Sequence, residues 1–205
     1  SIKCHRIIIL DSSTMVDMKK GLLIVYSGPS GVGKSTILHE VLKDESLNLE
    51  FSVSMTTRLP REGEVDGKDY FFVSKETFEK AIKDDKFLEH ARYVENYYGT
   101  PRDYVEQERN KGKNVILEID VQGGLQVIEK CSDCISIFIM PPSIDELRNR
   151  LSGRGTEKEE VINKRVDQAQ REINQGSVYK YHVVNNDVEA SIKEVSDILK
   201  KEMAL

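Results

Sequence analysis

The chain has 205 residues, of which 39% are apolar and 32% are charged, and its formal net charge at pH 7 is −5. The acidic excess argues against a protein that binds nucleic acid through its phosphates, and no apolar run approaches the roughly 20 residues of a membrane-spanning helix. Cys131 and Cys134 form a C-x-x-C pair, but without a second pair or suitably spaced histidines we interpret them as incidental. We therefore expect a cytoplasmic globular protein without nucleic-acid or membrane partners.

The first 20 residues are polar around one short apolar segment, Ile7–Leu10, and they contain Met15 and Met18, at which translation could start. Two interpretations stay open, a native extension or a leader added to the natural protein. In both cases we expect the fold to begin at Gly21.

From Gly21 onward, short apolar segments alternate with amphipathic segments. The apolar segments predict strands of a parallel sheet at Leu22–Ser27, Val115–Ile119, Cys134–Met140 and Tyr181–Val184. The amphipathic segments predict helices at Lys34–Leu42, Gln122–Lys130, Ser143–Leu151 and Val188–Met203. This alternation predicts an α/β fold in which helices cover both faces of a parallel sheet.

Two stretches interrupt the alternation. Residues Phe51–Asn110 contain glycine turns, short alternating segments and one predicted helix near Lys75–Lys83, which indicates a mainly β insertion. Residues 153–160 are rich in Gly, Arg and Glu and precede a long predicted helix, Glu159–Gln175, as is typical of a mobile lid. We thus expect core segments at 21–50, 111–152 and 161–205, an insertion at 51–110 and a lid at 153–160.

The segment Gly28–Ser35 has the sequence GPSGVGKS and lies between a predicted strand and a predicted helix. It matches the phosphate-loop pattern G-x-x-x-x-G-K-[ST], whose glycines let backbone N–H groups surround a phosphate. Lys34 adds a positive charge across the β and γ phosphates, and the Ser35 hydroxyl is a ligand for Mg²⁺. The loop therefore predicts a site for ATP and Mg²⁺, made by Gly28, Pro29, Ser30, Gly31, Val32, Gly33, Lys34, Ser35 and Thr36.

A second group of phosphate ligands lies in the predicted insertion. Arg58 and Arg61 stand three residues apart on a turn stiffened by Pro60, and Tyr70 and Tyr98 follow beside glycine turns. Arginines bind phosphate oxygens through paired hydrogen bonds, and tyrosine hydroxyls add further donors. Because an enzyme that only hydrolyses ATP needs no such site, this cluster predicts a monophosphate as a second substrate.

The segment Ser52–Val73, SVSMTTRLPREGEVDGKDYFFV, resembles the signature of the guanylate kinase family. The similarity continues, in order and at the family's spacing, through Phe87–Glu89, Asn96–Thr100, Ile119–Gly123, Pro141–Ser143, Arg150–Thr156 and Val184–Asp187. The resemblance implies a P-loop NTPase-type sheet with a GMP-binding insertion and a short arginine-rich lid. It also implies transfer of the γ-phosphoryl group of ATP to GMP or dGMP, a step of purine nucleotide metabolism. For the oligomeric state we expect a monomer or a weak dimer.

The same resemblance implies roles for individual residues. It implies GMP binding by Ser54, Arg58, Arg61, Tyr70, Glu89, Tyr98, Thr100 and Asp120. Beyond the phosphate loop, it implies ATP binding by Arg154, Arg165 and Asn185, with assistance from Arg150. The implied catalytic residues are Lys34, Arg58, Arg154 and Arg165, and the implied Mg²⁺ ligands, direct or through water, are Ser35 and Asp120. Glu118 stands where the family most often has aspartate.

Ser54, Glu89 and Thr100 read the base in this interpretation. Guanine presents two donors, N1–H and N2–H₂, beside one acceptor, O6, so a carboxylate accepts from both donors while a hydroxyl donates to O6. Adenine would turn a lone pair toward the carboxylate and leave a buried charge unpaired, which is costly.

Two alternatives remain open at this level. Guanylate-kinase-like domains of scaffold proteins bind phosphorylated peptides without catalysis, and other nucleoside monophosphate kinases act on AMP or UMP. The chain keeps Lys34, Ser35, Arg58, Arg61 and Glu89, which favours catalysis on GMP over both alternatives.

Overall fold

The structure is a computed structural model, and it describes residues 7–11, 14–153, 155 and 157–204. The strands are β1 Ile7–Asp11, β2 Thr14–Met18, β3 Leu23–Ser27, β4 Leu49–Phe51, β5 Met55–Thr56, β6 Phe71–Phe72, β7 Phe87–Tyr93, β8 Asn96–Pro101, β9 Asn114–Glu118, β10 Ile135–Met140 and β11 Tyr181–Val184. The helices are α1 Lys34–Leu42, α2 Lys75–Lys83, α3 Arg102–Asn110, α4 Val121–Lys130, α5 Ile144–Ser152, α6 Glu159–Gln175 and α7 Val188–Met203.

Five strands form a parallel sheet in the order β11–β10–β3–β9–β4. Successive side chains of a strand point to opposite faces, and β3 in the centre has apolar side chains on both. Ile24 and Tyr26 pack in one buried cluster with residues of α1 and α7. Leu23 and Val25 pack in the other, with residues of α3 and α4. The expected α/β fold, with helices on both faces of a parallel sheet, is confirmed.

The insertion has a small sheet of its own, with strands in the order β6–β5–β8–β7. Its hydrophobic centre is an aromatic stack. The ring of Phe78, from α2, lies 4.4 Å from the ring of Phe87 and 5.1 Å from that of Tyr97, measured between centroids. The insertion therefore has a sheet and aromatic packing of its own. Between residues 51 and 110, however, the helices α2 and α3 occupy as many residues as the strands, so this segment is mixed rather than mainly β.

Two elements near the ends of residues 51–110 were not predicted and join the core. Strand β4, which includes Phe51, pairs with β9 at the edge of the large sheet. In α3, Val105 packs in the same buried cluster as Leu117 of β9. A strand of three residues is too short to show a period, and Val105 is the only apolar side chain that α3 buries, so neither pattern is readable in the sequence.

Residues ahead of Gly21 also form structure. Strands β1 and β2 pair antiparallel, from Ile7 opposite Met18 to Asp11 opposite Thr14, in a two-stranded sheet. Residues 1–6 and 12–13 lie outside the described part of the chain. Within the described residues, no helix combines the length and apolarity needed to cross a bilayer.

The strand order decides where a ligand can lie. β3 and β9 are neighbours and run parallel, so the loops that follow them leave the same edge of the sheet. The chain after β3 is the phosphate loop, and the chain at the end of β9 carries Glu118 and Asp120. In open α/β sheets ligands bind at this edge, outside the carboxyl ends of the strands.

Candidate active site

The phosphate loop makes a tight turn from β3 into α1. Gly31 and Gly33 have φ angles of 82° and 86°, in the left-handed region that side chains with a Cβ rarely adopt. Gly33 is the N-cap of α1, and no side chain hydrogen-bonds the first N–H groups of that helix. These donors, together with the positive end of the helix, are therefore available to an anion.

Asn185 supports the loop from behind. Its Nδ2 donates to the carbonyl of Val32 at 2.9 Å, and its Oδ1 accepts from the Ser191 hydroxyl at 3.0 Å. The Arg150 guanidinium donates to the carbonyls of Val32 and Asn185, at 3.3 and 3.4 Å. Asn185 is only 1% exposed, so the structure places it beneath the loop, whereas the resemblance implied a role in ATP binding. In this position it holds the loop's backbone.

Lys34 and Ser35 are the first two residues of α1 and directly follow the glycines of the phosphate loop. Lys34 is partly buried, and its Nζ lies 3.4 Å from the carbonyl of Pro29. Burial lowers the pKa of Lys34, while the negative charges of Glu118 and Glu172 partly offset that effect. The Ser35 hydroxyl donates to Glu118 Oε1 at 2.6 Å. A charge, a hydroxyl and a carboxylate thus converge where ATP phosphates would lie.

The oxygen atoms at this point suit Mg²⁺. Mg²⁺ is commonly held by a hydroxyl and one or two carboxylates together with substrate phosphates and waters, and Ser35 and Glu118 provide such a pair. Asp120, the predicted partner of Ser35, is the N-cap of α4, and its Oδ1 accepts from Gly123 N–H at 2.7 Å. Glu118, whose role the sequence left open, is therefore the carboxylate beside Ser35.

One of the two arginines predicted near the lid is described. The Arg165 guanidinium, on α6, forms an ion pair with Glu157 at 3.0 Å and donates to the Ser30 hydroxyl at 3.3 Å. It therefore reaches the phosphate loop from the side of the lid. The other predicted arginine, Arg154, lies outside the described residues.

Arg58 is held in the insertion by a partner that the sequence analysis missed. Its two amino groups donate to the two carboxylate oxygens of Glu64, at 2.8 and 2.9 Å. The guanidinium also lies over the rings of Tyr70 and Phe72, 5.2 and 5.9 Å from their centroids. The Arg58 guanidinium lowers the pKa of Glu64 to about 2. The same carboxylate accepts from the backbone N–H of Arg61 at 2.6 Å, which links both predicted phosphate ligands.

A cavity of about 330 Å³ lies next to this arginine. Its lining includes five of the predicted GMP-binding residues, Ser54, Tyr70, Glu89, Tyr98 and Asp120. The rings of Tyr70 and Tyr98 lie 6.2 Å apart, edge to face. The volume is within the range of small-molecule sites. The structure therefore brings together residues that are up to 66 positions apart in the sequence, from Ser54 to Asp120.

Glu89 forms the buried end of the cavity. It is 7% exposed, and Thr100 donates its hydroxyl proton to Glu89 Oε1 at 2.7 Å. Burial raises the pKa of Glu89, and the hydrogen bond from Thr100 partly offsets that rise. Glu89 Oε2 lies against α4, where a Cβ on Gly123 would come within 2.9 Å of it. One carboxylate oxygen is thus hydrogen-bonded to Thr100, and the other lies close to the first turn of α4.

Thr100 is one of the three residues predicted to read the base, and it stands apart from the other two. It is fully buried, it does not line the cavity, and its hydroxyl donates to Glu89. The structure makes Thr100 a residue that orients the carboxylate. Of the two predicted hydroxyl residues, Ser54 is the one that lines the cavity.

Known proteins share this architecture. The family model described as guanylate kinase matches residues 20–202 of the chain. The guanylate kinases of Listeria innocua and Listeria monocytogenes are each 51% identical to it over 184 residues, which is 90% of this chain and 90% of theirs. The crystal structure of guanylate kinase from Anaplasma phagocytophilum is similar with a TM-score of 0.66 and 37% identity, over 90% of this chain and 87% of that one.

Proposed function

The chain belongs to the guanylate kinase family, and we propose that it transfers the γ-phosphoryl group of ATP to the phosphate of GMP or dGMP, forming ADP and GDP or dGDP. One observation carries the proposal. A single cavity is lined by a buried carboxylate, Glu89, by the phenols Tyr70 and Tyr98 beside Arg58, and by Asp120, which follows the strand next to the phosphate loop. The guanine base, the phosphate of GMP and the ATP phosphates can therefore lie one after another in space, from Glu89 to the phosphate loop.

On the acceptor side, the guanine N1–H and N2–H₂ groups would donate to Glu89, and Ser54 would meet the rest of the base edge. The GMP phosphate would lie against the guanidinium of Arg58 and the hydroxyls of Tyr70 and Tyr98. Arginine stays charged at every relevant pH and presents its donors in a fixed plane. Because Glu64 already orients that plane, little reorganisation is needed when the phosphate arrives.

On the donor side, the N–H groups at the start of α1 and the ammonium of Lys34 would bind the ATP phosphates, and Arg165 would approach from α6. Mg²⁺, when bound, supplies further positive charge on the phosphate oxygens, and Ser35 and Glu118 are the residues that would hold it. Asp120, at the N-cap of α4, lines the cavity for the acceptor and would lie near its phosphate.

The transfer itself asks little of protein acid–base groups. A phosphate oxygen of GMP is already an anion at neutral pH, so no general base is needed to make it a nucleophile. The protein can lower the activation barrier mainly in two ways, by reducing the repulsion between the negatively charged ATP and GMP and by aligning them. Lys34 on one side and Arg58 on the other neutralise that charge, and a closed site would exclude the water that would otherwise hydrolyse ATP.

A coupled assay of ADP release tests the proposal, with GMP, dGMP, AMP and UMP offered in turn. We expect turnover with GMP and dGMP and little with AMP or UMP. Arg58→Met should lose most of the GMP activity, whereas Arg171→Met, which changes an exposed arginine of α6, should retain it. Comparable rates with AMP or UMP would overturn the base assignment, and binding of GMP without any turnover would indicate a non-catalytic binding module.

A further inference from the structure

Two side chains of α4 are hydrogen-bonded to the backbone of β7. The Gln126 amide makes a two-point contact with His90, because its Oε1 accepts from the His90 N–H and its Nε2 donates to the His90 carbonyl, both at 3.2 Å. One helical turn later, Lys130 Nζ donates to the carbonyl of Phe87, also at 3.2 Å. Residues four apart lie on the same face of a helix, so Gln126 and Lys130 act on β7 together.

These two contacts bracket the residue that lines the buried end of the cavity. Phe87 and His90 lie on either side of Glu89 in β7. The pairing between β7 and β8 is irregular here, since Phe87 is opposite Pro101 and Glu89 is opposite Thr100, which leaves Leu88 without a partner across the ladder. An irregularity of this kind redirects side chains, and it weakens the control that the neighbouring strand has over the backbone. The contacts from α4 supply that control.

The Glu89 carboxylate has little room to move toward α4. It lies against Gly123, in the first turn of α4, where even a Cβ would come within 2.9 Å of Oε2. The N–H of Gly123 is in turn fixed by the Asp120 cap. If the backbone at His90 moved away from α4, the carboxylate would lose this fixed position relative to the cavity.

We propose that Gln126 is a positioning residue for base selection, whose amide fixes the backbone next to Glu89 and so holds that carboxylate at the place where it meets guanine. The inference rests on the proposed function, since it assigns Gln126 to the GMP site. The Gln126 amide offers a donor and an acceptor at once, and both are used on His90. Glutamate at this position lacks the donor, methionine lacks both groups, and asparagine is one methylene shorter.

The experiment measures binding rather than turnover. Isothermal titration calorimetry gives the Kd of GMP and of IMP, which lacks the 2-amino group and so makes one contact fewer with a carboxylate. For Gln126→Met we expect the affinity for GMP to fall about tenfold and that for IMP less, because two hydrogen bonds that set Glu89 are lost. The Kd for ATP, from the same titrations, should stay within about twofold, since the ATP site does not depend on this contact. Glu129→Met, on the exposed face of the same helix, is the matched control and should change none of these values.

The possible outcomes are distinguishable. If Gln126→Met lowers the Tm but keeps the ratio of GMP to IMP affinity, Gln126 supports packing alone and the proposal is wrong. If that variant does not fold, two others test the proposal. Gln126→Glu keeps the length but replaces the donor with a charged oxygen that would face the His90 carbonyl, and Lys130→Met removes the second contact. Each should lower the same ratio, and an unchanged ratio in both would overturn the proposal. A wild-type protein that binds GMP without phosphorylating it would overturn the proposed function, while the affinity ratio would still decide the role of Gln126. A wild-type protein that does not bind GMP would overturn both.

Discussion

Arg58 and Glu64 are joined through both guanidinium amino groups and both carboxylate oxygens, at 2.8 and 2.9 Å. The pair is only slightly exposed, with 14% and 19% of the two side chains accessible to solvent. Such a two-point contact fixes the plane of the guanidinium, which a single contact would not. The guanidinium that we propose as the ligand of the GMP phosphate is therefore held in a fixed plane by the protein itself.

Glu64→Gln should show what this pair contributes and at which pH. The pKa of Glu64 falls from 4.5 to about 2 in the folded protein, so the ionised carboxylate stabilises the fold above about pH 4.5, and this contribution is lost as the pH falls toward 2. We expect the Tm of the wild type to exceed that of the variant at neutral pH, and the difference to shrink between pH 4.5 and 2. A difference in Tm that varies around neutral pH instead would contradict this assignment.

Glu89→Gln tests the reading of the base. The amide can accept at one atom only, and its NH₂ would face a guanine donor, so kcat/KM for GMP should fall by about one to two orders of magnitude. The same amide can donate to adenine N1, so AMP, a poor substrate, should lose little or improve. A parallel loss for GMP and AMP would mean that Glu89 supports the fold or the clamp and does not read the base.

The same variant should change the pH dependence. Burial raises the pKa of Glu89, so the wild type should lose kcat/KM for GMP as the pH falls through a value above the ordinary 4.5. The variant has no carboxyl group to protonate, and this acid limb should be absent from its profile. An identical acid limb in both proteins would assign it to another group.

Glu118→Gln tests the candidate Mg²⁺ ligands. Glu118 accepts a hydrogen bond from the Ser35 hydroxyl at 2.6 Å. Replacing its carboxylate with an amide removes a negative charge and therefore lowers the affinity of this site for a divalent cation. We expect the Mg²⁺ concentration for half-maximal activity to rise several-fold, while Glu118→Asp, which keeps a carboxylate, should change it less. If Asp120→Asn raised this concentration and Glu118→Gln did not, the sequence-based assignment to Asp120 would be the better one.

Lys34→Ala tests the phosphate loop. The ammonium should matter most as charge develops on the transferring group, so kcat should fall by about 100-fold or more while the protein still folds. Lys43→Ala, which changes an exposed lysine at the end of the same helix, is the control and should keep normal kcat. Near-normal turnover in Lys34→Ala would remove this residue from the catalytic role.

Closure of the insertion and the lid over both nucleotides is the expected motion. The clamp around Arg58 and the phosphate loop belong to different sheets, and the hinges should flank the insertion and residues 153–160. Small-angle X-ray scattering should show a smaller radius of gyration with both nucleotides bound than without them. An unchanged radius would count against a large closure.

Local features of this protein were readable from its sequence. The phosphate loop is eight consecutive residues, and its turn requires a positive φ at Gly31 and Gly33. Because glycine is the residue that adopts this conformation readily, the sequence pattern predicts the geometry directly. The alternation of strands and helices was readable as well, because burial on both faces leaves nearly continuous apolar strands such as Leu23–Ser27. By contrast, β4 and α3 were missed, because a strand of three residues and a helix with one buried apolar side chain carry too little periodicity.

What only the tertiary structure decided is which side chains satisfy each other. Ser35 meets Glu118 across 83 positions, Gln126 meets His90 across 36, and the Thr100 hydroxyl is committed to Glu89. Asn185 likewise has its side chain bonded to Val32 and Ser191 beneath the loop. A motif specifies the type of a polar residue but not its partner, because hydrogen bonds act over about 3 Å and depend on how distant segments pack. The sequence thus determined the family and the fold class and predicted the residues around the two nucleotides. Packing decided which of those residues line the cavity and which are bonded to other side chains.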